Sequence, residues 1–171
     1  MTNVTATIIK HRRGFTLVEM MVVTSIVAIL AAVALPSFDD MILTTNLRSY
    51  TNSLLSAVYL ARGEAIKRNA PVILCVSTDG VNCGAGGWEQ GWIVLSGTTV
   101  VLRQQAASAR YKITEANGLT SLTFQSTGIG ATQATLTTCR ATPTAGRQER
   151  VLSISATGRP SSKITNNGVC T

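Results

Sequence analysis

One carboxylate, Glu19, stands in an otherwise uncharged, mostly apolar run over residues 15–35. A charge inside such a segment is costly in a bilayer, so its presence marks a functional position. Lys10, His11, Arg12 and Arg13 lie just ahead of it, followed by a Gly14–Phe15 junction. An ion pair in a low-dielectric setting needs both partners, because one charge left alone is strongly destabilising. The chemistry open to Glu19 is therefore the pairing of an amine, its own chain's or a neighbour's. Cys75, Cys83, Cys139 and Cys170 form a second reactive set. The third is basic. From Val101 onward Arg103, Arg110, Lys112, Arg140, Arg147, Arg150, Arg159 and Lys163 face only Glu115 and Glu149.

The elements that must position these groups follow from periodicity. Residues 15–35, as a helix at about 1.5 Å per residue, span about 31 Å, close to a bilayer's hydrocarbon core. The basic cluster ahead of them stays on the cytoplasmic side, so the rest of the chain faces the other side. Pro36 interrupts the helix and predicts a kink. Asp39 and Asp40 beside it cap or solvate that kink. Leu43, Leu47, Tyr50, Leu54, Val58, Ala61 and Ala65 recur at spacings of three and four, the stripe of an amphipathic helix that ends near Asn69, with Pro71 enforcing the stop. Beyond it the period changes to that of strands: 72–76, 92–95, 100–102, 111–114, 121–125, 134–138 and 151–155, punctuated by glycines. The fold class is α+β, a long N-terminal kinked helix packed on a C-terminal antiparallel β-sheet head. Trp88 and Trp92 belong to the core or sheet surface.

With four cysteines on the exported side, an oxidising compartment implies two disulfides. Three pairings are possible. Cys75–Cys83 with Cys139–Cys170 is the simplest: the first closes a short loop, the second ties the last residues to the body. Zinc is disfavoured, since there is no C-x-x-C and the sole histidine is His11.

The run Gly14-Phe15-Thr16-Leu17-Val18-Glu19, with its basic leader and Pro36 at the end of the apolar span, resembles the type III signal of type IV pilins and pseudopilins. The stretch Ala61–Asn69, the strand Val72–Val76, the run Gly91–Leu95 and the closing strand with Gly158-Arg159 resemble the GspH/FimT group of minor pilins and pseudopilins. The resemblance implies a leader over 1–14, a transmembrane and filament-core helix over 15–35 and a periplasmic pilin head over 36–171. It implies a prepilin peptidase that cuts between Gly14 and Phe15 and N-methylates Phe15. Glu19 then pairs with the Phe15 amino group during assembly with other major and minor pilins. The subunit passes from the inner membrane to the pilus filament, with the cell surface as its final place.

Catalysis is not expected. No phosphate-binding loop and no H-E-x-x-H occur, Gly84-Ala85-Gly86-Gly87 lacks the Lys-Ser/Thr of a phosphate cradle, and removal of the leader removes the one histidine. No cofactor and no metal are expected. The function implied is a structural subunit of a type IV pilus. The FimT branch adds double-stranded DNA as a partner, through a basic C-terminal G-R-x-R segment that serves natural transformation. Here the chain reads Gly158-Arg159-Pro160-Ser161-Ser162-Lys163, so the second arginine is replaced by Ser161 and Lys163 follows two residues later. Phosphate binding needs charge and reach more than a fixed code. Arg140, Arg147, Arg150, Arg159 and Lys163 are therefore the candidate DNA contacts. The alternative is a type II secretion pseudopilin of the GspH type without DNA binding.

Overall fold

The computed structural model describes residues 14–141 and 149–165, leaving aside the side chains of residues 33–37, 39 and 40. Asp39, Asp40, Arg147 and Cys170 thus lie wholly or in their side chains outside the described residues. The chain divides into two compact units, Met1–Asp40 and Met41–Thr171.

Helix α1 is assigned without interruption from Leu17 to Arg68. In the N-terminal unit every described residue through Ala32 is exposed. The large apolar side chains there range from 47% exposed at Val23 to 75% at Phe15 and Leu17. A helix apolar on all sides needs an apolar environment around its whole circumference. Thr24 Oγ1 donates to the Met20 carbonyl at 2.9 Å and Ser25 Oγ to that of Met21 at 2.8 Å. Both hydroxyls are therefore satisfied within the helix, as a lipid or filament-core setting requires. Among the described residues no helix is long and apolar enough to cross a membrane. The described side chains of this unit stop at Ala32 and resume at Phe38, so the apolar run expected to Leu35 is covered only in part.

In the second unit α1 carries the expected stripe. Leu43, Leu47, Leu54, Val58, Ala61 and Ala65 are buried, and Tyr50 is half-buried. The helix ends as its sequence dictates: Asn69 takes a left-handed φ of 50°, and the Ala70 N–H donates to the Ala65 carbonyl at 3.2 Å. This is the left-handed helix stop that asparagine tolerates.

Among the described residues eight strands follow: β1 Val72–Val76, β2 Trp92–Ser96, β3 Thr99–Gln104, β4 Tyr111–Glu115, β5 Ser121–Phe124, β6 Ala134–Arg140, β7 Glu149–Ile154 and β8 Pro160–Thr165. They make two four-stranded sheets, ordered β3-β2-β1-β5 and β4-β6-β7-β8. Every pairing is antiparallel. The expected antiparallel β head on a long N-terminal helix is present, and its described strands fall into two sheets. β5 leaves the sequential order to pair with β1, so β4 starts the second sheet. One core joins Leu54, Val58, Ala61 and Ala65 of α1 to Leu74, Trp92 and Phe124 of the first sheet and Ile113, Leu136 and Leu152 of the second. Trp88 and Trp92 are both buried in it, and the Trp88 indole N–H donates to the Leu119 carbonyl at 2.8 Å.

Candidate functional sites

At the chain start, Thr16 and Glu19 close on each other. The Glu19 N–H donates to Thr16 Oγ1 at 3.2 Å, and the Thr16 N–H donates to Glu19 Oε2 at 3.5 Å. With the helix beginning at Leu17, Thr16 is the N-cap and Glu19 the third helical residue, the reciprocal capping box. The T-x-x-E spacing was readable in the sequence, but Glu19 was read there only for its charge. The carboxylate sits beside the Phe15–Thr16 backbone, one residue from the amine that a cut after Gly14 would create.

Cys75 and Cys83 are joined by a disulfide with Cα atoms 5.5 Å apart. Cys75 sits in β1, and the loop back to Cys83 is organised by Asp79. Asp79 Oδ1 accepts from the N–H groups of Val81 at 2.7 Å and Asn82 at 2.8 Å, and from Ser77 Oγ at 3.0 Å. These bonds, the Asn82 N–H first, hold the Asp79 carboxyl well below the usual carboxylate range. Gly80 turns at φ +70° directly over Arg103, where a Cβ would come within 2.6 Å of that side chain. Cys139 is disulfide-bonded. Its expected partner, Cys170, lies outside the described residues. Among the described residues no cluster could hold a metal ion.

Glu115, at the end of β4, is buried and was counted in the sequence only as an opposing charge. Its carboxylate accepts three backbone N–H groups, those of Asn117 at 2.8 Å, Leu119 at 2.9 Å and Thr135 at 3.1 Å. It therefore shapes the β4–β5 turn and fastens it to β6.

The basic residues described in and beside the second sheet are spread over both of its faces. Strand pairing places Arg140 opposite Tyr111, and Arg150 opposite Thr138 and Ile164. Both lie on the sheet face that also carries Leu136, Leu152 and Ile154 of the core, because side chains alternate with period two. Lys163 pairs with Val151 and so projects from the other face, away from the core. Arg159 stands in the β7–β8 turn, beside the Ile154–Pro160 pair. That pair lies about 13 Å along the strand from Arg150, at about 3.3 Å per residue. Of the expected contacts, Arg140 and Arg150 thus sit on one face toward one end, Lys163 on the opposite face, and Arg159 at the far end. Arg147 lies outside the described residues.

On the face turned from the core, the register collects Lys112 and Thr114, Thr135 and Thr137, Val151 and Ser153, and Ser161 and Lys163. Cys139 and Glu149 share this face by register but are buried. Lys112 was not among the expected contacts. The signal that places it there, its parity with Thr114, needed the strand limits.

The Arg159 turn is braced from behind. Arg62 of α1 donates through Nε to the Gly128 carbonyl at 3.0 Å. A Cβ on Gly158, which has φ +69°, would lie 3.3 Å from Arg62 Cδ. The N–H groups of Gly130 and Ala131 both donate to the Ala156 carbonyl, at 2.9 and 3.0 Å. The helix, the β5–β6 loop and the β7–β8 turn are thereby locked together.

Residues 50–158 match the family described as Type II transport protein GspH. The chain belongs to the GspH family. Residues 9–35 of this GspH-family chain match the prokaryotic N-terminal methylation motif. Its fold is similar to that of the type IV minor pilin FimU of Pseudomonas aeruginosa, with a TM-score of 0.53 at 22% identity over 70% of this chain and 90% of that one. It is also similar to the minor pseudopilin EpsH from the type 2 secretion system of Vibrio cholerae, with a TM-score of 0.51 at 13% identity over 69% and 96% of the two chains. A fimbrial protein of Neisseria meningitidis is 38% identical over 74 residues, 40% of this chain and 44% of the relative. That match spans less than half of the relative's length. Family match and methylation motif thus stand together in one chain, on a fold shared with FimU and EpsH.

Proposed function

We propose that this GspH-family subunit is a minor pilin of a type IV pilus, cut between Gly14 and Phe15 and N-methylated on Phe15. Residues 15–35 anchor it in the inner membrane, with residues 36–171 as a periplasmic head, until assembly carries it into the filament. Partners are other pilins and the prepilin peptidase. The observation that carries this reading is the N-terminal helix exposed on all sides, headed by the Thr16–Glu19 pair and joined in sequence to a folded head. Such a helix needs either lipid or like helices around it. Mass spectrometry of the membrane form tests the cleavage and methylation. Recovery of the subunit in sheared pili, against loss of protein secretion when its gene is deleted, separates the pilus from the secretion alternative.

A second reading is favoured by the outer face of the second sheet. Lys112, Lys163 and, at its end, Arg159 lie among serines and threonines there, and Glu149 on that face is buried. Duplex DNA would be held through its phosphates by charge and hydroxyl donors, without regard to base sequence. Arg140 and Arg150 face the other way and would contribute little. The test is titration of labelled duplex with the full chain in detergent micelles at two salt concentrations. Absence of binding at low salt leaves a purely structural subunit.

A further inference from the structure

At the Arg159 end of the second sheet lies an open depression of about 360 Å³. Its polar lining comes from four separate segments: Asn117 after β4, Gln133 and Thr135 at the start of β6, Ser153 and Ser155 at the end of β7, and Arg159 and Ser161 at the start of β8. Among the described residues Arg159 is the only ionic member of the lining, and no carboxylate belongs to it. Among the described residues none pairs with the Arg159 guanidinium either. The remaining groups named are hydroxyls and carboxamides, each able to donate a hydrogen bond.

The turn that presents Arg159 is set before any ligand arrives. The Arg159 N–H donates to Ser155 Oγ at 3.2 Å, and its carbonyl accepts from the Ser155 N–H at 3.1 Å. Behind the turn stands the Arg62, Gly128 and Gly158 brace. Neither the backbone bonds nor the brace uses the Arg159 guanidinium. A single cation, fixed at its base and ringed by neutral donors with no competing anion, suits one compact oxyanion. The absence of aromatic residues from the lining argues against a stacked base or sugar ring.

We infer that this depression is a binding site for a single oxyanion group, a phosphate or a carboxylate, with Arg159 as its charged anchor. The site takes one anionic group, whether that group belongs to a small molecule or to a polymer end. It does not depend on the duplex reading above.

The test uses the isotope-labelled full chain in detergent micelles at constant ionic strength, titrated separately with inorganic phosphate and with acetate. The expected result is saturable shifts of the amides of Asn117, Thr135, Ser153, Arg159 and Ser161. Arg159→Gln is expected to weaken binding roughly tenfold or more, since a hydrogen bond to a charged group is lost. Arg159→Lys should fall between, keeping the charge but not the planar fork, and Arg140→Gln should leave binding unchanged. Saturation by phosphate alone assigns a phosphate ligand, by acetate alone a carboxylate, and by both the shared chemistry. Shifts that never saturate, or that persist equally in Arg159→Gln and Arg159→Lys, overturn the inference. Ser161→Ala, which removes one hydroxyl donor from an exposed strand position, gives a second reading if Arg159→Gln perturbs the turn. Phosphate binding without duplex binding would keep this site and remove the DNA reading.

Discussion

Thr16 and Glu19 hydrogen-bond reciprocally at the first turn of α1, so the one carboxylate of the apolar segment already has a local partner in the subunit. Two roles then converge on Glu19: capping its own helix, and pairing with the amine of Phe15 in the proposed assembly. They can be separated. Thr16→Ala should cost the helix start about 0.5–2 kcal/mol and leave filament incorporation near normal. Glu19→Ala removes both roles, and should still insert into the membrane while assembling poorly. The readout is the amount of each variant in membrane and sheared-filament fractions. Equal incorporation of Glu19→Ala and the parent would remove the assembly role.

The Cys75–Cys83 bridge closes the loop that Asp79 organises. Replacing both cysteines with serine is expected to destabilise the head by roughly 2–4 kcal/mol, chiefly by freeing the unfolded chain. Denaturant unfolding of the full chain in micelles measures it.

Asp79 also sets a pH response. Its folded pKa is depressed, so its contribution is present above the unfolded carboxylate range and is lost only as pH falls through the lower folded value. The loop amides of Val81 and Asn82 should therefore stay protected from hydrogen exchange at pH 4, where ordinary carboxylates are half protonated. Asp79→Ala, which removes the acceptor, should abolish that protection at neutral pH. Early loss of protection in the parent between pH 5 and 4 would contradict the assignment.

Glu115 holds three backbone N–H groups from a buried position. Glu115→Ala should cost roughly 1–3 kcal/mol for each donor left buried without a partner. Glu115→Gln, which keeps one carbonyl acceptor, should cost less. Thermal unfolding ranks the two, and equal costs would mean that the charge rather than the acceptor geometry matters.

The Arg62 brace predicts an effect at a distance. Gly158→Ala puts a methyl near Arg62 Cδ at a φ of +69°, where a side chain is strained whatever the space. It should destabilise the head by about 1 kcal/mol or more and shift the amides of the Arg159 turn. Arg62→Ala should loosen the same amides with the rest of the spectrum unchanged. A spectrum altered throughout would mean that Arg62 supports the whole core rather than this turn.

Local rules made much of this protein legible. The three-and-four stripe from Leu43 to Ala65, the stop at Asn69 before Pro71 and the strand Val72–Val76 follow from periodicity and proline geometry, which act over a few residues. The pilin resemblance likewise rested on contiguous residues at the Gly14–Phe15 junction. What the tertiary structure decided is which residues meet. β5 pairs with β1 across 45 or more intervening residues, and that choice divides the head into two sheets. Glu115 reaches Thr135 twenty residues away, a contact with no signature in either segment. The basic residues were visible as a charge excess, but a period-two element assigns a face only once its register is known. A one-residue shift reverses every side chain, so Lys163 and Arg150, close in the sheet, point to opposite faces.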